Sequence, residues 1–238
     1  MREVRRPGLV RKVAALARRA VVMVWPDNCP LCGNAMHYGE TPVCVECLVK
    51  LPRIGNDRKI TYVGAPNNEI IERSWFLYNH EDPSHKLIHD IKYHDRRNFA
   101  RKLGREFAMQ KLLDDIPLDI ILPIPLHWTK QFVRGYNQSM EIALGVSDVL
   151  PGVAVKKNLY ARRPHDTQTQ RSYAERNENV KDVFAVRKPE SLDGRHVAIL
   201  DDVITTRATM FNAMEAILNV SSPASVSFLS LARTEGGR

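Results

Sequence analysis

The sequence has no apolar run long enough for a membrane span and no segment typical of an export signal. Apolar side chains do occur in the first 25 residues, but Arg18 and Arg19 interrupt them and no small-residue cleavage site follows. We therefore expect a cytoplasmic protein without a transmembrane segment. The chain has 238 residues, of which 44% are hydrophobic, and this is enough for a sizeable core and a small second module.

Acidic residues are scarce near the amino terminus, so the excess positive charge collects there. The formal net charge is +8, and the first 20 residues hold seven arginines or lysines against one glutamate. Basic clusters alternate with apolar side chains, which predicts a basic amphipathic helix over residues 1–25. Such a helix either packs on the neighbouring module or contacts anionic lipid or nucleic acid, and the sequence leaves both open.

Cysteine is also scarce, and all four cysteines fall in one pair of motifs. Cys29 and Cys32 form the first Cys-x2-Cys, and Cys44 and Cys47 form the second. This spacing lets two short turns present four thiolates to one tetrahedral Zn²⁺ with a structural role. Disulfides suit exported proteins, and a thioredoxin-type redox pair needs only one such motif. We therefore predict a four-cysteine zinc module over residues 26–55.

Two common phosphate-binding patterns, the Walker A loop and the Rossmann fingerprint, are absent. Instead, the apolar run 197–200 is followed by Asp201 and Asp202, then by a hydroxyl-rich turn and by apolar side chains at helical spacing up to Leu218. This order predicts a strand buried on both faces, a loop and a helix. The loop lies at the carboxyl end of the strand, where open α/β sheets bind ligands.

The chemistry of this loop suits a ribose 5-phosphate. Amides at the start of the helix and the hydroxyls of threonines can surround a phosphate at the positive end of the helix dipole. Asp201 and Asp202 supply acceptors for sugar hydroxyls, or charge that helps to hold Mg²⁺. The segment resembles the phosphoribosyl pyrophosphate (PRPP) motif of type I phosphoribosyltransferases. By this resemblance, the 5-phosphate site comprises Thr205, Thr206, Arg207, Ala208 and Thr209.

Arg207 stands where that motif usually has glycine. Glycine allows a close approach of the backbone to the phosphate, or a left-handed φ. A positive φ at this position would strain Arg207 by about 1 kcal/mol or more. Alternatively, its side chain would add positive charge beside the phosphate. Catalytic competence therefore depends on the conformation of this residue.

Further motifs resemble one branch of the phosphoribosyltransferase-like proteins, the ComF/GntX family. The matching segments, in the family's order, are 88–94, 122–127, 134–139, Thr167-Gln168, Arg176, Asn179-Val180, Phe184 and Asp201-Asp202. The family joins an amino-terminal cysteine module to a PRPP-type domain. The resemblance therefore implies an α/β protein with the type I phosphoribosyltransferase-like fold, whose central sheet is mostly parallel, over residues 70–238, together with the small N-terminal zinc module.

The middle of the chain supplies a second predicted part of the site. Residues 119–122 are typical of a buried strand, which Pro123 and Pro125 end because proline cannot continue a ladder. The resemblance places pyrophosphate in the loop that follows, where basic side chains can offset its charge. The predicted pyrophosphate residues are Ile124, Pro125, Lys130 and Arg134.

Local patterns also predict the elements around this loop. Residues 74–78 are typical of a strand, Ser84 caps a short helix, and Phe99 and Phe107 mark one face of a longer helix. Asn137 is predicted to cap the helix that follows the pyrophosphate loop.

Residues 156–181 are polar and basic and have almost no apolar periodicity. In the transferases a flexible hood at this place closes over the reacting ribose and excludes water. An exposed basic hairpin explains the composition equally well. If the segment is a hood, its candidate ligand contacts are Arg163, Gln168 and Arg176.

The resemblance implies a PRPP-binding protein that handles single-stranded DNA during competence, beside a competence helicase or another uptake protein. A catalysed reaction would be pentosyl transfer from PRPP with Mg²⁺ to an unknown acceptor, with Asp201 and Asp202 as catalytic residues. Two alternatives stay open: a nucleobase-salvage phosphoribosyltransferase and a PRPP-sensing protein without catalysis.

Overall fold

The computed structural model describes residues 28–36, 42–54, 58–78, 83–93, 97–126, 132, 134–162 and 183–234. The chain divides into two compact units between Lys50 and Leu51. Several sequence predictions lie outside the described residues: the helix over 1–25, Lys130, and the hood residues Arg163, Gln168 and Arg176.

The described helices are α1 (Val45–Lys50), α2 (Pro83–Tyr93), α3 (Arg97–Met109), α4 (Gln138–Val149) and α5 (Ala208–Leu218), with short 3-10 turns at Pro66–Asn68 and Pro189–Ser191. The described strands are β1 (Arg58–Thr61), β2 (Glu69–Leu77), β3 (Ile120–Pro123), β4 (Ala154–Val155), β5 (Leu159–Ala161), β6 (Phe184–Val186), β7 (His196–Ile204) and β8 (Ser225–Arg233).

The smaller unit contains a tight turn around the first cysteine pair. The amide of Cys29 donates to the carbonyl of Asn34 at 2.7 Å, and the amide of Gly33 donates back to the carbonyl of Cys29 at 2.8 Å. Gly33 has a φ of +78°, which glycine adopts without steric cost. The turn therefore folds the chain back on itself directly after Cys32.

A six-stranded sheet in the order β1-β2-β8-β7-β3-β4 forms the larger unit. Every pair except β1 with β2 is parallel, and β5 and β6 form a separate antiparallel pair. The predicted fold class, α/β with a mostly parallel central sheet, is confirmed. β1 already pairs with β2, so the sheet begins before residue 70, the start that the resemblance implied.

β7 is the central strand for the site. Its residues 197–200 are at most 1% exposed, since β8 and β3 flank the strand and helices cover the sheet. The sequence prediction ended this strand at residue 200 and placed the two aspartates in the loop. In the structure Asp201 and Asp202 belong to β7, because β8 continues to pair with it as far as Ile204 and Arg233. That part of the prediction is wrong.

α3 and α4 cross at very short range beside this sheet. A Cβ atom on Gly104 would lie 2.1 Å from the carbonyl oxygen of Ile142, and one on Gly145 would lie 2.1 Å from the carbonyl oxygen of Arg101. Only glycine allows two helix backbones to approach so closely. The crossing fixes the first turn of α4, which faces the carboxyl end of β7.

The predicted cap of α4 is confirmed. The Asn137 Oδ1 accepts from the amide of Met140 at 3.3 Å, and its Nδ2 donates to the carbonyl of Ile124 at 2.9 Å. A single side chain thus begins the helix and holds the end of the β3 segment. The predicted helices after Ser84 and around Phe99 correspond to α2 and α3.

Candidate functional site

Two adjacent carboxylates lie near the carboxyl end of β7, and two neighbouring helices hold them. The Ser139 Oγ donates to Asp201 Oδ1 at 2.9 Å, and the Gln138 Nε2 donates to Asp202 Oδ2 at 3.4 Å. Lys92, on α2, places its Nζ 3.0 Å from Asp202 Oδ2. These contacts define the orientation of both carboxylates.

Burial and mutual repulsion decide the charge of this pair. Burial, followed by the neighbouring charge of Asp202, raises the pKa of Asp201 to about 7, although the hydroxyl of Ser139 opposes the shift. Burial lowers the pKa of Lys92, and so does Arg134, but the two aspartates outweigh both effects and the net pKa is raised. Near neutral pH Asp201 is thus partly protonated, and the cation of Lys92 lies beside the two acids.

The predicted phosphate loop begins after Ile204, where β7 ends. Thr205, Thr206 and Ala208 are exposed, Thr209 is half-buried, and α5 begins at Ala208. The loop therefore presents hydroxyls at the positive end of an 11-residue helix, which is a favourable place for an anion.

Arg207 has φ −15° and ψ −1°, so the left-handed conformation that would strain it does not occur. Its guanidinium is directed into the protein, where Nε donates to Glu72 Oε2 at 2.6 Å. The positive charge at the usual glycine position is thus paired with a buried acid of β2.

The predicted pyrophosphate residues lie at the same edge of the sheet, after β3. Ile124 is buried and its amide donates to the carbonyl of Leu200 at 2.8 Å, while Pro125 and Arg134 are half-buried. A cavity of about 270 Å³ opens here, and its lining includes the cationic residues Arg97 and Lys157. The residues that line it are Arg97, Pro123, Pro125, Leu126, Gly135, Tyr136, Asn137, Met140, Glu141, Lys157 and Leu159.

Sequence reasoning named the two aspartates but gave no role to Lys92, Gln138 or Ser139. The fold brings these three side chains to the carboxylates from α2 and from the first turn of α4. All three lie in segments that carry the family resemblance, which was the available signal. The partners of Gln138 and Ser139 on β7 are more than 60 positions away in the sequence and were not readable from it.

The four cysteines come together in the smaller unit. Their sulfur atoms all lie within 4.8 Å of one another, and Cys32 Sγ and Cys44 Sγ are 3.8 Å apart. A tetrahedron with Zn–S bonds of about 2.3 Å has edges of about 3.8 Å, so the cluster has the dimensions of a four-cysteine zinc site. The four thiols therefore fit one zinc ion.

The local environment differs among these thiols. Burial alone would raise the pKa of Cys29, but amides of Cys44, Cys32 and Leu31 bring it down to about 7. Burial, followed by hydrogen bonds from the other thiols, raises the pKa of Cys47. Zinc binds the thiolate form, so a Zn²⁺ ion at this cluster would favour loss of the protons from its cysteine ligands.

No family model matches the chain. It is 28% identical over 211 residues to the DNA utilization protein YhgH of Salmonella typhi, across 87% of this chain and 84% of the relative. It is 29% identical to competence protein F of Haemophilus influenzae, across 77% of this chain and 87% of the relative. A solved structure of the allosteric regulatory enzyme of purine biosynthesis aligns with 60% of this chain and 30% of its own, at 18% identity and a TM-score of 0.41.

No helix in the described part of the chain is long and apolar enough to cross a membrane. The two relatives match over 87% and 77% of this chain. The cysteines cluster as the resemblance implied, and β7 carries the two aspartates. Over most of its length the chain is therefore similar to proteins named for DNA utilization and competence, in agreement with the ComF/GntX resemblance.

Proposed function

We propose that this protein binds PRPP together with Mg²⁺ at the carboxyl edge of its sheet and handles single-stranded DNA during DNA uptake. One observation carries the PRPP assignment. Asp201 and Asp202 lie at the end of β7, two residues before a loop in which exposed threonine hydroxyls meet the amino end of α5. Acceptors for vicinal ribose hydroxyls and donors for a 5-phosphate thus occur within a few residues of each other.

Each part of the ligand has a matching group in this arrangement. The carboxylates accept the ribose 2- and 3-hydroxyls, and Thr205, Thr206 and Thr209 donate to the 5-phosphate together with the first amides of α5. The pyrophosphate lies toward the loop after β3, where Arg134 offers positive charge. Bound Mg²⁺ neutralises part of the pyrophosphate charge and makes it a better leaving group.

The DNA role rests on different observations. Two relatives carry names that refer to DNA utilization and competence. The net charge of +8 favours a polyanionic partner, and a four-cysteine zinc module supplies a rigid platform for nucleic acid or protein. We place the protein in the cytoplasm, where incoming single strands would meet it beside an uptake helicase.

Binding to DNA is tested by the shift of a labelled single-stranded oligonucleotide at increasing salt. We expect binding that weakens steeply as salt rises, because released counterions drive it. Absence of a shift at low salt would remove the DNA role and leave the PRPP assignment intact.

The reaction is tested with a panel of nucleobases, PRPP and Mg²⁺, followed by pyrophosphate release. Steady release with one base would identify a salvage enzyme. Binding of PRPP without release with any base would identify a sensor, or a transferase whose acceptor is outside the panel. Replacement of both aspartates by asparagine should abolish binding in every case, and the single variant Glu215→Gln, on the outer surface of α5, is the matched control.

A further inference from the structure

The phosphate loop is attached to the sheet by a buried ion-pair cluster. The side chain of Glu72, on β2, is 1% exposed, and both of its oxygens are bound. Arg207 donates through Nε to Oε2 at 2.6 Å and through Nη2 to Oε1 at 3.2 Å. Arg233, at the end of β8, donates through Nη1 to the same Oε1 at 3.2 Å.

A second attachment holds the opposite end of the loop. The amide of Thr234 donates to the carbonyl of Ile204 at 3.1 Å, and its Oγ1 donates to the carbonyl of Thr205 at 3.1 Å. The three residues between β7 and α5 are therefore fixed by the segment after β8 on one side and by Glu72 on the other.

We infer that Arg207 is a positioning residue, which holds the phosphate loop in a binding conformation through Glu72 and does not itself contact the phosphate. The inference rests on the proposed function of the loop. A bidentate guanidinium pair is directional, so it restricts the backbone of the residue that carries it. In the usual motif, glycine gives the backbone of this loop its conformational freedom. Here the ion pair between Arg207 and Glu72 holds the loop in one conformation.

The ion-pair cluster of Glu72, Arg207 and Arg233 also offsets positive charge beside the loop. Glu72 neutralises one positive charge, and Arg233 shares the same carboxylate. Neutral hydroxyls and amides are then the main donors to the phosphate. Glu72 occupies the edge of the guanidinium that carries Nε and Nη2, so contact between that edge and phosphate would require this pair to break and would leave a buried carboxylate without its bidentate partner.

These two roles for Arg207 predict opposite effects of Glu72→Gln. If Arg207 only positions the loop, Glu72→Gln and Arg207→Gln each weaken binding of PRPP with Mg²⁺ about 10-fold. The double variant then binds within about two-fold of the weaker-binding single variant, because the two residues act through one contact. If Arg207 contacts phosphate, Glu72→Gln releases the guanidinium and leaves the affinity equal or tighter. Glu69→Gln, on the same strand and half-exposed, is the matched control.

Hydrogen exchange in the ligand-free protein gives an independent readout. We expect faster exchange of the amides of residues 205–209 in both single variants and no change in Glu69→Gln. If Glu72→Gln does not fold, Arg207→Gln decides, because it retains the pair between Glu72 and Arg233. Unchanged exchange in Arg207→Gln would overturn the inference. Failure of the wild-type protein to bind PRPP would instead refute the proposed function, and the exchange comparison would still decide whether Arg207 anchors the loop.

Discussion

The ammonium of Lys92 lies 3.0 Å from the carboxylate of Asp202, although the two residues belong to different elements and the aspartate is almost completely buried. This contact joins α2 to the functional edge of β7. The positive charge of Lys92 also offsets the repulsion between Asp201 and Asp202, which lie side by side in a partly buried place.

Removal of this cation should destabilise the protein. Lys92→Met keeps the length of the side chain but leaves Asp202 without its charged partner, and we expect a loss of about 2 kcal/mol in the free energy of unfolding. Denaturant titration at neutral pH measures it. Lys86→Met, at an exposed position of the same helix, should change little. Equal effects of the two substitutions would contradict the assigned role of Lys92.

The raised pKa of Asp201 predicts a pH dependence of stability. Its ordinary value is 3.8, and burial together with Asp202 raises the pKa to about 7. Between these values the folded protein holds a proton that the unfolded chain has lost, so stability falls as pH rises from about 4 to about 7. Asp201→Asn removes this titration.

Unfolding at about pH 5 and about pH 8 compares the two proteins in the absence of ligand. We expect the wild-type protein to lose more stability than Asp201→Asn between these two pH values. Only the wild-type protein has a carboxyl proton at this position to lose as the pH rises. A loss of the same size in both proteins would show that Asp201 titrates normally.

The close crossing of α3 and α4 predicts a large effect of one methyl group. In Gly104→Ala the new Cβ would lie 2.1 Å from a backbone oxygen, so the helices must separate. We expect a loss of about 3 kcal/mol or more. Gly194→Ala is the control, since its Cβ would meet no atom within 4 Å and only the φ of +64° is unfavourable. Similar losses in both variants would argue against the crossing.

The cysteine cluster predicts one zinc ion per chain. Elemental analysis in reducing buffer should find about one equivalent, and Cys47→Ser should lower both the zinc content and the resistance of the smaller unit to proteolysis. Val49→Ser, two positions along and exposed, should retain the metal. A zinc content near zero in the wild-type protein would refute the assignment.

Features that depend on residues close together in the sequence were the ones predicted best. The apolar run 197–200 indicated a strand buried on both faces, and Asn137 indicated a helix start. Contacts between distant positions were not predictable. Arg207 and Glu72 are 135 positions apart, and only the folded sheet brings them together. The end of β7 was misjudged for the same reason, because strand pairing with β8 decides where it ends.

Calorimetric titration of the full chain with PRPP and Mg²⁺ tests the central claim most directly. We predict saturable binding by the wild-type protein, no detectable binding by the variant that combines Asp201→Asn with Asp202→Asn, and unchanged binding by Glu215→Gln. Absence of heat with the wild-type protein, or equal binding by the double variant, would contradict the account.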